Sequence, residues 1–84
     1  MPRYVIERTF TYGVDLASAR LGIVETNAAL GVTWIHSYVS EDGKRAFCVY
    51  DADTPEALRK SAAANELPVE QITQVRVLDP YHYR

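Results

Sequence analysis

The chain has 84 residues and a single cysteine, so no disulfide bond can form within it. A reducing compartment is the simplest setting for such a chain, and we expect a cytoplasmic protein. No apolar run is long enough for a transmembrane helix, and the start of the chain, Met1–Tyr4, lacks the charged and then apolar regions of a secretion signal. We therefore expect no membrane partner.

A concentration of positive charge is also absent. The chain carries 9 Lys and Arg against 11 Asp and Glu, a net charge of -2, and its basic residues are scattered. This pattern argues against a nucleic-acid partner. A chain of this length buries about 60% of its unfolded surface, which predicts one domain over residues 1–84 with a modest core. No nucleophile triad, phosphate-binding loop or clustered metal motif is present.

What is present is a β-hairpin over residues 32–52. Residues 32–39 and 46–52 are rich in β-branched and aromatic side chains, which suit a half-buried pleated surface. The only Trp and the only Cys of the chain lie here, together with one of its two His residues. These features make the hairpin the first place to look for function.

The register of the hairpin depends on the length of its loop. A two-residue Asp42–Gly43 turn would mix apolar and polar side chains on each face. A three-residue loop with Gly43 in the left-handed conformation closes Ser40 against Lys44 and keeps the apolar side continuous. We favour the three-residue loop. It predicts three opposed pairs: Ile35 with Val49, Trp34 with Tyr50, and His36 with Cys48.

The rest of the chain predicts two more strands and two helices. The two strands cover residues 4–10 and 73–78. The first helix runs from Leu16 to Leu30, with Asp15 as its cap and Gly31 as its end. The second helix begins after Asp53 or Thr54 and ends near Asn65, which we expect to be a left-handed terminator. The order strand, helix, strand, strand, helix, strand is the ferredoxin-like β-α-β-β-α-β arrangement. This α+β fold has a four-stranded antiparallel sheet with both helices on one face.

The predicted register assigns each strand residue to one face of this sheet. The helix-facing side should carry Tyr4, Ile6, Ile35, Val39, Phe47, Val49, Val75 and Val77. The open side should carry Val5, Glu7, Trp34, His36, Tyr38, Cys48, Tyr50, Arg76 and Leu78. So much aromatic surface is rarely left in water. We therefore expect a homodimer in which two sheets meet as a dimeric α+β barrel with a lined interior.

Three side chains on the predicted open face have metal-binding chemistry. Glu7, His36 and Cys48 would lie on three neighbouring strands, and imidazole, thiolate and carboxylate together suit nickel or zinc. Simpler interpretations exist: a lone Cys is usually a small core residue, a lone inward His is usually a hydrogen-bonded core residue, and Glu7 is better explained by an ion pair with Arg76. Four further residues are expected to line the cavity: Trp34, Tyr38, Tyr50 and Arg76.

Four segments also resemble a known family. They are Trp34–Val39, Phe47–Tyr50, Leu67–Pro68 and Val75–Arg76. They are similar to the small nickel-binding proteins grouped as a domain of unknown function, which form dimeric α+β barrels. This chain has Ser61 where several members carry His, and Glu66 where members often have Gly. The resemblance implies nickel as the metal and a homodimer as the assembly.

Two functions follow from these observations. The first is a small dimeric metal-binding protein, with nickel as the expected ion and the site on the open sheet face. The second is a cofactor-independent enzyme of the isomerase, cyclase or monooxygenase type, since dimeric α+β barrels host such reactions on small aromatic or polyketide-like molecules. In that case His36 and Glu7 would be the acid–base groups, and the partner would be a small ligand rather than a metal ion.

Overall fold

The computed structural model describes residues 1–13 and 15–82. The elements are β1 (Arg3–Thr9), α1 (Leu16–Ala29), β2 (Thr33–Val39), β3 (Arg45–Asp51), α2 (Pro55–Ala64) and β4 (Gln71–Val75). The four strands form one antiparallel sheet in the order β2-β3-β1-β4. The predicted ferredoxin-like α+β fold is confirmed. Among the described residues, no helix has the length and apolar character needed to cross a bilayer.

The helix boundaries follow their capping residues. Asp15 caps α1 by accepting a hydrogen bond from the Ser18 backbone N–H at 3.2 Å, and Thr54 caps α2 by accepting one from the Ala57 N–H at 3.2 Å. The predicted terminator of α2 is wrong by one position. Asn65 has an ordinary φ of -88°, and the left-handed residue is Glu66, with φ of 56°. A non-glycine residue is strained in this conformation, so glycine would suit position 66 better.

The last strand begins and ends earlier than predicted. It starts at Gln71, next to a hydrogen bond from the Glu70 N–H to the Glu7 carbonyl at 2.9 Å, and stops at Val75. Ile72 lies opposite Ile6 and takes the helix side. Val75 therefore faces the open side, and the prediction that it faces the helices is wrong.

The hairpin loop has four residues, not three. Ser40 and Arg45 close it, with the Ser40 N–H donating to the Arg45 carbonyl at 2.9 Å and the Gly43 N–H to the Ser40 carbonyl at 2.8 Å. The Asp42 carboxylate stabilises this loop, because it accepts bonds from the Ser40 hydroxyl at 2.7 Å and from the Lys44 N–H at 3.0 Å. The extra residue shifts the pairing near the loop by one position.

A β-bulge between Trp34 and His36 absorbs that shift. Trp34 lies opposite Tyr50, as predicted, but beyond the bulge His36 pairs with Val49 and Ser37 with Cys48. The side chains of Trp34 and His36 therefore take opposite faces, although residues two apart in a regular strand share a face. The predicted pairs of Ile35 with Val49 and of His36 with Cys48 are wrong.

The covered face of the sheet is consequently built from β3 residues that were expected on the open side. Cys48 and Tyr50 pair across the sheet with Ile6 and Tyr4, and both are buried at 1% and 3% exposure. The core cluster contains Tyr4, Ile6, Leu16, Ile23, Val32, Ala46, Cys48, Tyr50, Ala52 and Leu58. Phe47 and Val49, predicted to face the helices, lie on the open side because they alternate with these residues.

A polar contact joins the two helices above this core. The Ser61 hydroxyl of α2 donates to the Asn27 Oδ1 of α1, and the Asn65 amide donates to the same oxygen at 3.2 Å. Ser61 and Asn27 are both buried. Ser61 therefore serves helix packing.

Candidate functional site

The open face of the sheet has an apolar centre. Val5 and Val49 lie opposite each other, and Phe47 lies beside them opposite Glu7. No helix covers these side chains, and Phe47 keeps 36% of its surface exposed. We call Val5, Phe47 and Val49 the apolar centre of the open face.

The edge strand β2 supplies two aromatic residues beside this centre. His36 pairs with Val49, and Tyr38 pairs with Phe47. The two rings meet edge to face, with their centroids 5.2 Å apart and their planes at 80°. Tyr38 is 66% exposed, so the pair is accessible from solvent. His36 is thus an oriented imidazole at the border of an apolar surface.

One end of the open face carries an ion pair between neighbouring strands. The Arg3 guanidinium donates to both carboxylate oxygens of Asp51, at 2.8 and 3.1 Å. The hydrogen bonds from Arg3 lower the pKa of the Asp51 carboxyl below its ordinary value, and the positive charge of Arg3 acts in the same direction. Both charges at this end are therefore already paired within the chain.

A second, looser pair lies toward the hairpin loop. The Arg45 Nη2 is 4.0 Å from the Glu7 Oε1, and the Arg45 guanidinium lies 5.3 Å from the centroid of the Phe47 ring. Glu7 has its predicted place on the open face, but its cationic neighbour is Arg45. The predicted partner Arg76 follows the end of β4 and is exposed, because the strand stops one residue before it.

The predicted metal-ligand set does not come together within one chain. Cys48 lies on the covered face at 1% exposure, so it cannot share an ion with His36. Glu7 and His36 share the open face, but β3 separates their strands by about 10 Å in all. In residues 1–13 and 15–82, no group of three or more His, Cys, Asp and Glu side chains lies close enough to hold a metal ion. Metal binding by His36 and Glu7 stays a prediction, and these two side chains of one chain lie too far apart to share an ion.

Two of the predicted cavity-lining residues also lie on the covered face. Tyr50 is in the core, and Trp34 packs against it with its indole N–H donating to the Ser37 hydroxyl at 2.8 Å. The cause is the same for both, because the bulge keeps Trp34 opposite Tyr50 on the helix side. Of the predicted lining set, Tyr38 alone lies on the open face within a strand.

Trp34 instead lines a cleft at the side of the molecule. The cleft has a volume of about 380 Å³ and lies between α1 and the start of β2, with Val24, Ala28 and Trp34 among its walls. It is mostly apolar, and neither His36 nor Glu7 lines it. The cleft adjoins the unpaired edge of β2.

The structure also contains a buried cation that the sequence interpretation missed. Arg8 is 2% exposed and donates from Nη1 to the Pro68 carbonyl at 2.6 Å and from Nη2 to the Tyr50 hydroxyl at 3.1 Å. Burial raises the pKa of the Tyr50 phenol, and the Arg8 charge partly opposes that shift. Arg8 shares the helix side with Tyr4 and Ile6 by simple alternation, so the period of β1 already indicated its place.

These features can be compared with known proteins. The family model described as "Nickel responsive protein SCO4226-like" matches residues 4–75. The chain belongs to this family. The match spans all four strands and both helices, and it agrees with the resemblance seen in the sequence.

A solved structure supports the fold independently. The crystal structure of SCO4226 from Streptomyces coelicolor A3(2) superposes with a TM-score of 0.78, covering 92% of this chain and 99% of that one. The sequence identity is 11%, so this likeness concerns the fold. No curated protein matches the sequence.

Proposed function

We propose that the protein binds a divalent metal ion, nickel in the first place, as a homodimer whose open faces meet, in the reducing cytoplasm. The observation that carries the proposal is His36, an accessible imidazole beside an uncovered apolar surface in a nickel-responsive family. Imidazole is a good ligand for nickel. The other donors must come from a second copy, because His36 and Glu7 of the same chain are too far apart to bind one ion.

The charge arrangement of the open face supports self-association. Val5, Phe47 and Val49 gain by leaving water, whereas Arg3 with Asp51 and Glu7 with Arg45 are already paired. Burying a paired charge costs less than burying a lone one. An obligate dimer of this kind buries a large apolar interface, often above about 2,000 Å² in total.

The metal test compares the two histidines of the chain. Protein free of any affinity tag is titrated with nickel and with zinc by calorimetry. His36→Ala should abolish binding, whereas His82→Ala, in the exposed segment after β4, should leave it unchanged. Equal losses from both variants, or no uptake by the unmodified protein, would reject the proposal.

Cys48 provides a second check on the site. Because its thiol lies in the core on the other face, Cys48→Ser should leave nickel affinity unchanged in the fraction that folds. A loss of affinity as large as that of His36→Ala would mean that the thiol is a ligand. That result would require a different arrangement of β3.

The dimer test uses two exposed apolar residues. Sedimentation should show a dimer at micromolar concentration, and Phe47→Asp should dissociate it. Leu21→Asp is the control, because Leu21 is 70% exposed on α1, away from the open face. A folded monomer in the unmodified protein would refute the assembly.

The enzyme alternative gains no particular support. The Glu7 carboxylate is in an ion pair with Arg45, and neither acid–base candidate, His36 or Glu7, lines the 380 Å³ cleft. If metal uptake is absent and small aromatic molecules bind in a manner lost with His36→Ala, the enzyme hypothesis takes the place of the metal one.

A further inference from the structure

α1 presents an uncovered row of apolar side chains to solvent. Ala17, Leu21, Val24 and Ala28 are spaced by four, three and four residues, so they lie along one side of the helix. All four are exposed, and Leu21 and Val24 keep 70% and 49% of their surface in solvent. We call these four residues the outer row of α1.

The outer row is a second apolar side of the same helix. Three of its members each follow a core-facing residue, and those core-facing residues are Leu16, Ile23 and Asn27. One residue corresponds to about 100° around an α-helix, so the outer row lies beside the core-facing side and is separate from it. α2 has an ordinary solvent side instead, with exposed Glu56, Arg59 and Lys60. Packing within one chain therefore does not explain the outer row.

The outer row is complementary to itself. Its side chains are small at both ends and large in the middle, and the midpoint lies between Leu21 and Val24. If two copies of α1 pack antiparallel about a twofold axis at this midpoint, Leu21 lies opposite Val24 of the second copy, and Ala17 lies opposite its Ala28. Antiparallel packing also brings the positive end of one helix dipole beside the negative end of the other.

The apolar cleft continues this surface. Val24 and Ala28 belong to the outer row and are also walls of the cleft between α1 and the start of β2. The residue opposite Val24 in the antiparallel pair is Leu21 of the second copy, which has the largest side chain of the row. Its side chain therefore meets apolar surface on both sides of Val24, as a central interface residue usually does.

We propose that the outer row of α1 is a contact surface between copies of this chain, formed by antiparallel packing of two α1 helices. The occupant is a second copy, because the row carries no charged or polar group that would select another partner and because its side-chain sizes match their own reverse order. This contact is separate from the open-face dimer, since the helices lie on the other side of the sheet. A protein that uses both surfaces assembles as a pair of dimers.

The expected affinity of this contact is low. Four side chains per copy bury no more than about 1,000 Å² in total, and interfaces below about 1,200 Å² belong to weak complexes. We expect a dissociation constant of about 0.1 mM. At micromolar concentration the open-face dimer is then the main species, and Leu21→Asp leaves it unchanged.

The first test isolates the α1 contact in the Phe47→Asp chain, in which the open-face dimer is broken. Sedimentation between about 10 μM and 1 mM should show monomers that associate to dimers. Adding Leu21→Asp should raise the dissociation constant at least about tenfold, because the carboxylate would be buried against Val24 of the second copy. Ala63→Asp, at an exposed alanine of α2, should leave it unchanged. A monomer over the whole range, or equal effects of the two aspartates, would overturn the inference.

The second test determines the direction of packing by disulfide formation in a Cys48→Ala background that keeps Phe47. Protein carrying Ala17→Cys is mixed with protein carrying Ala28→Cys under mild oxidation. Antiparallel packing brings these two positions together, whereas two copies of position 17 lie about 16 Å apart along the helix axis, too far for a disulfide. We expect the mixed disulfide to form faster than either symmetric one and faster than any with an Ala63→Cys control. Faster symmetric disulfides, or equal rates throughout, would overturn the inference.

The outcomes separate this contact from the open-face dimer. If the unmodified protein is a dimer at micromolar concentration and neither Leu21→Asp nor the cysteine pairs reveal the α1 contact, only the present inference is rejected. If the unmodified protein is a monomer at micromolar concentration and still associates through Leu21 near 0.1 mM, the open-face dimer is rejected and the α1 contact stands.

Discussion

The two faces of the sheet are made from the same strands but differ in their side chains and in their burial. The covered face contains small and aromatic residues, and it even buries Arg8, since most of the guanidinium has hydrogen-bond partners. The open face carries Val5, Phe47 and Val49 together with the pair of Glu7 and Arg45. Hydrophobicity of single residues therefore did not decide which side faces the helices. The strand register decided it, because it determines which residues of neighbouring strands lie opposite each other and share a face.

Neighbouring residues of β3 give the sharpest test of this contrast. Cys48→Asp places a carboxylate among core side chains and should cost more than about 3 kcal/mol of unfolding free energy. Val49→Asp places the same group on the open face and, with both variants made in the dimer-breaking Phe47→Asp chain, should cost about 1 kcal/mol or less. Urea denaturation followed by circular dichroism measures both. Equal costs would mean that the faces are assigned wrongly.

Two arginines make the next comparison. Arg8→Ala removes a buried cation and leaves the Pro68 carbonyl and the Tyr50 hydroxyl without partners, so we expect a loss of about 3 kcal/mol. Arg45→Ala removes an exposed charge and should cost about 0.5 kcal/mol or less. Thermal and urea unfolding test the difference. A smaller loss for Arg8 than for Arg45 would contradict the buried role.

Single-residue deletions in β2 should have unequal effects. Removing Ile35 removes the extra residue of the bulge, so Trp34 and His36 become adjacent and keep their opposite faces. Removing Ser37 forces either Tyr38 or His36 onto the helix side. We expect the Ser37 deletion to cost at least about 1 kcal/mol more, as measured by urea unfolding with Trp34 fluorescence as the probe. The reverse order would argue against the bulge.

The smallest effect concerns alkaline pH. Burial raises the pKa of Tyr50 above its ordinary value of 10.0, so the unfolded chain loses this proton first. The corresponding stability is present below that value and is lost as the pH rises toward the folded pKa. Tyr50→Phe should lower stability at neutral pH, since it removes a bond to Arg8, and should then lose less on going from about pH 9 to pH 11. Parallel curves would contradict this assignment.

The sequence predicted the element order and the helix caps because those signals are local. Asp15, Thr54 and Gly31 act within one helical turn, and apolar alternation marks each strand. The open-face place of Glu7 and the pairing of Trp34 with Tyr50 were also predicted. The place of Glu7 follows from alternation within one strand, whereas the pairing of Trp34 was correct because the four-residue loop and the bulge shift the register in opposite directions.

The candidate site was harder to predict because it depends on register. One additional loop residue, fixed by the Asp42 hydrogen bonds, moved Cys48 to the opposite face from His36. The bulge at Ile35 then corrected the register at the far end of the hairpin. Neither feature changes composition or periodicity enough to be seen in the sequence, and each reverses the face of several side chains.

The strand order also constrains how the chain can fold during synthesis. β1 is made first, yet it lies inside the sheet between β3 and β4, and Arg8 finds its acceptor only at Pro68. A nascent chain with β1 and α1 outside the ribosome has no partner for either edge of that strand. The β2–β3 hairpin can form earlier, because its contacts are close in sequence. We therefore expect the cooperative fold to appear only after β4 has emerged from the ribosome.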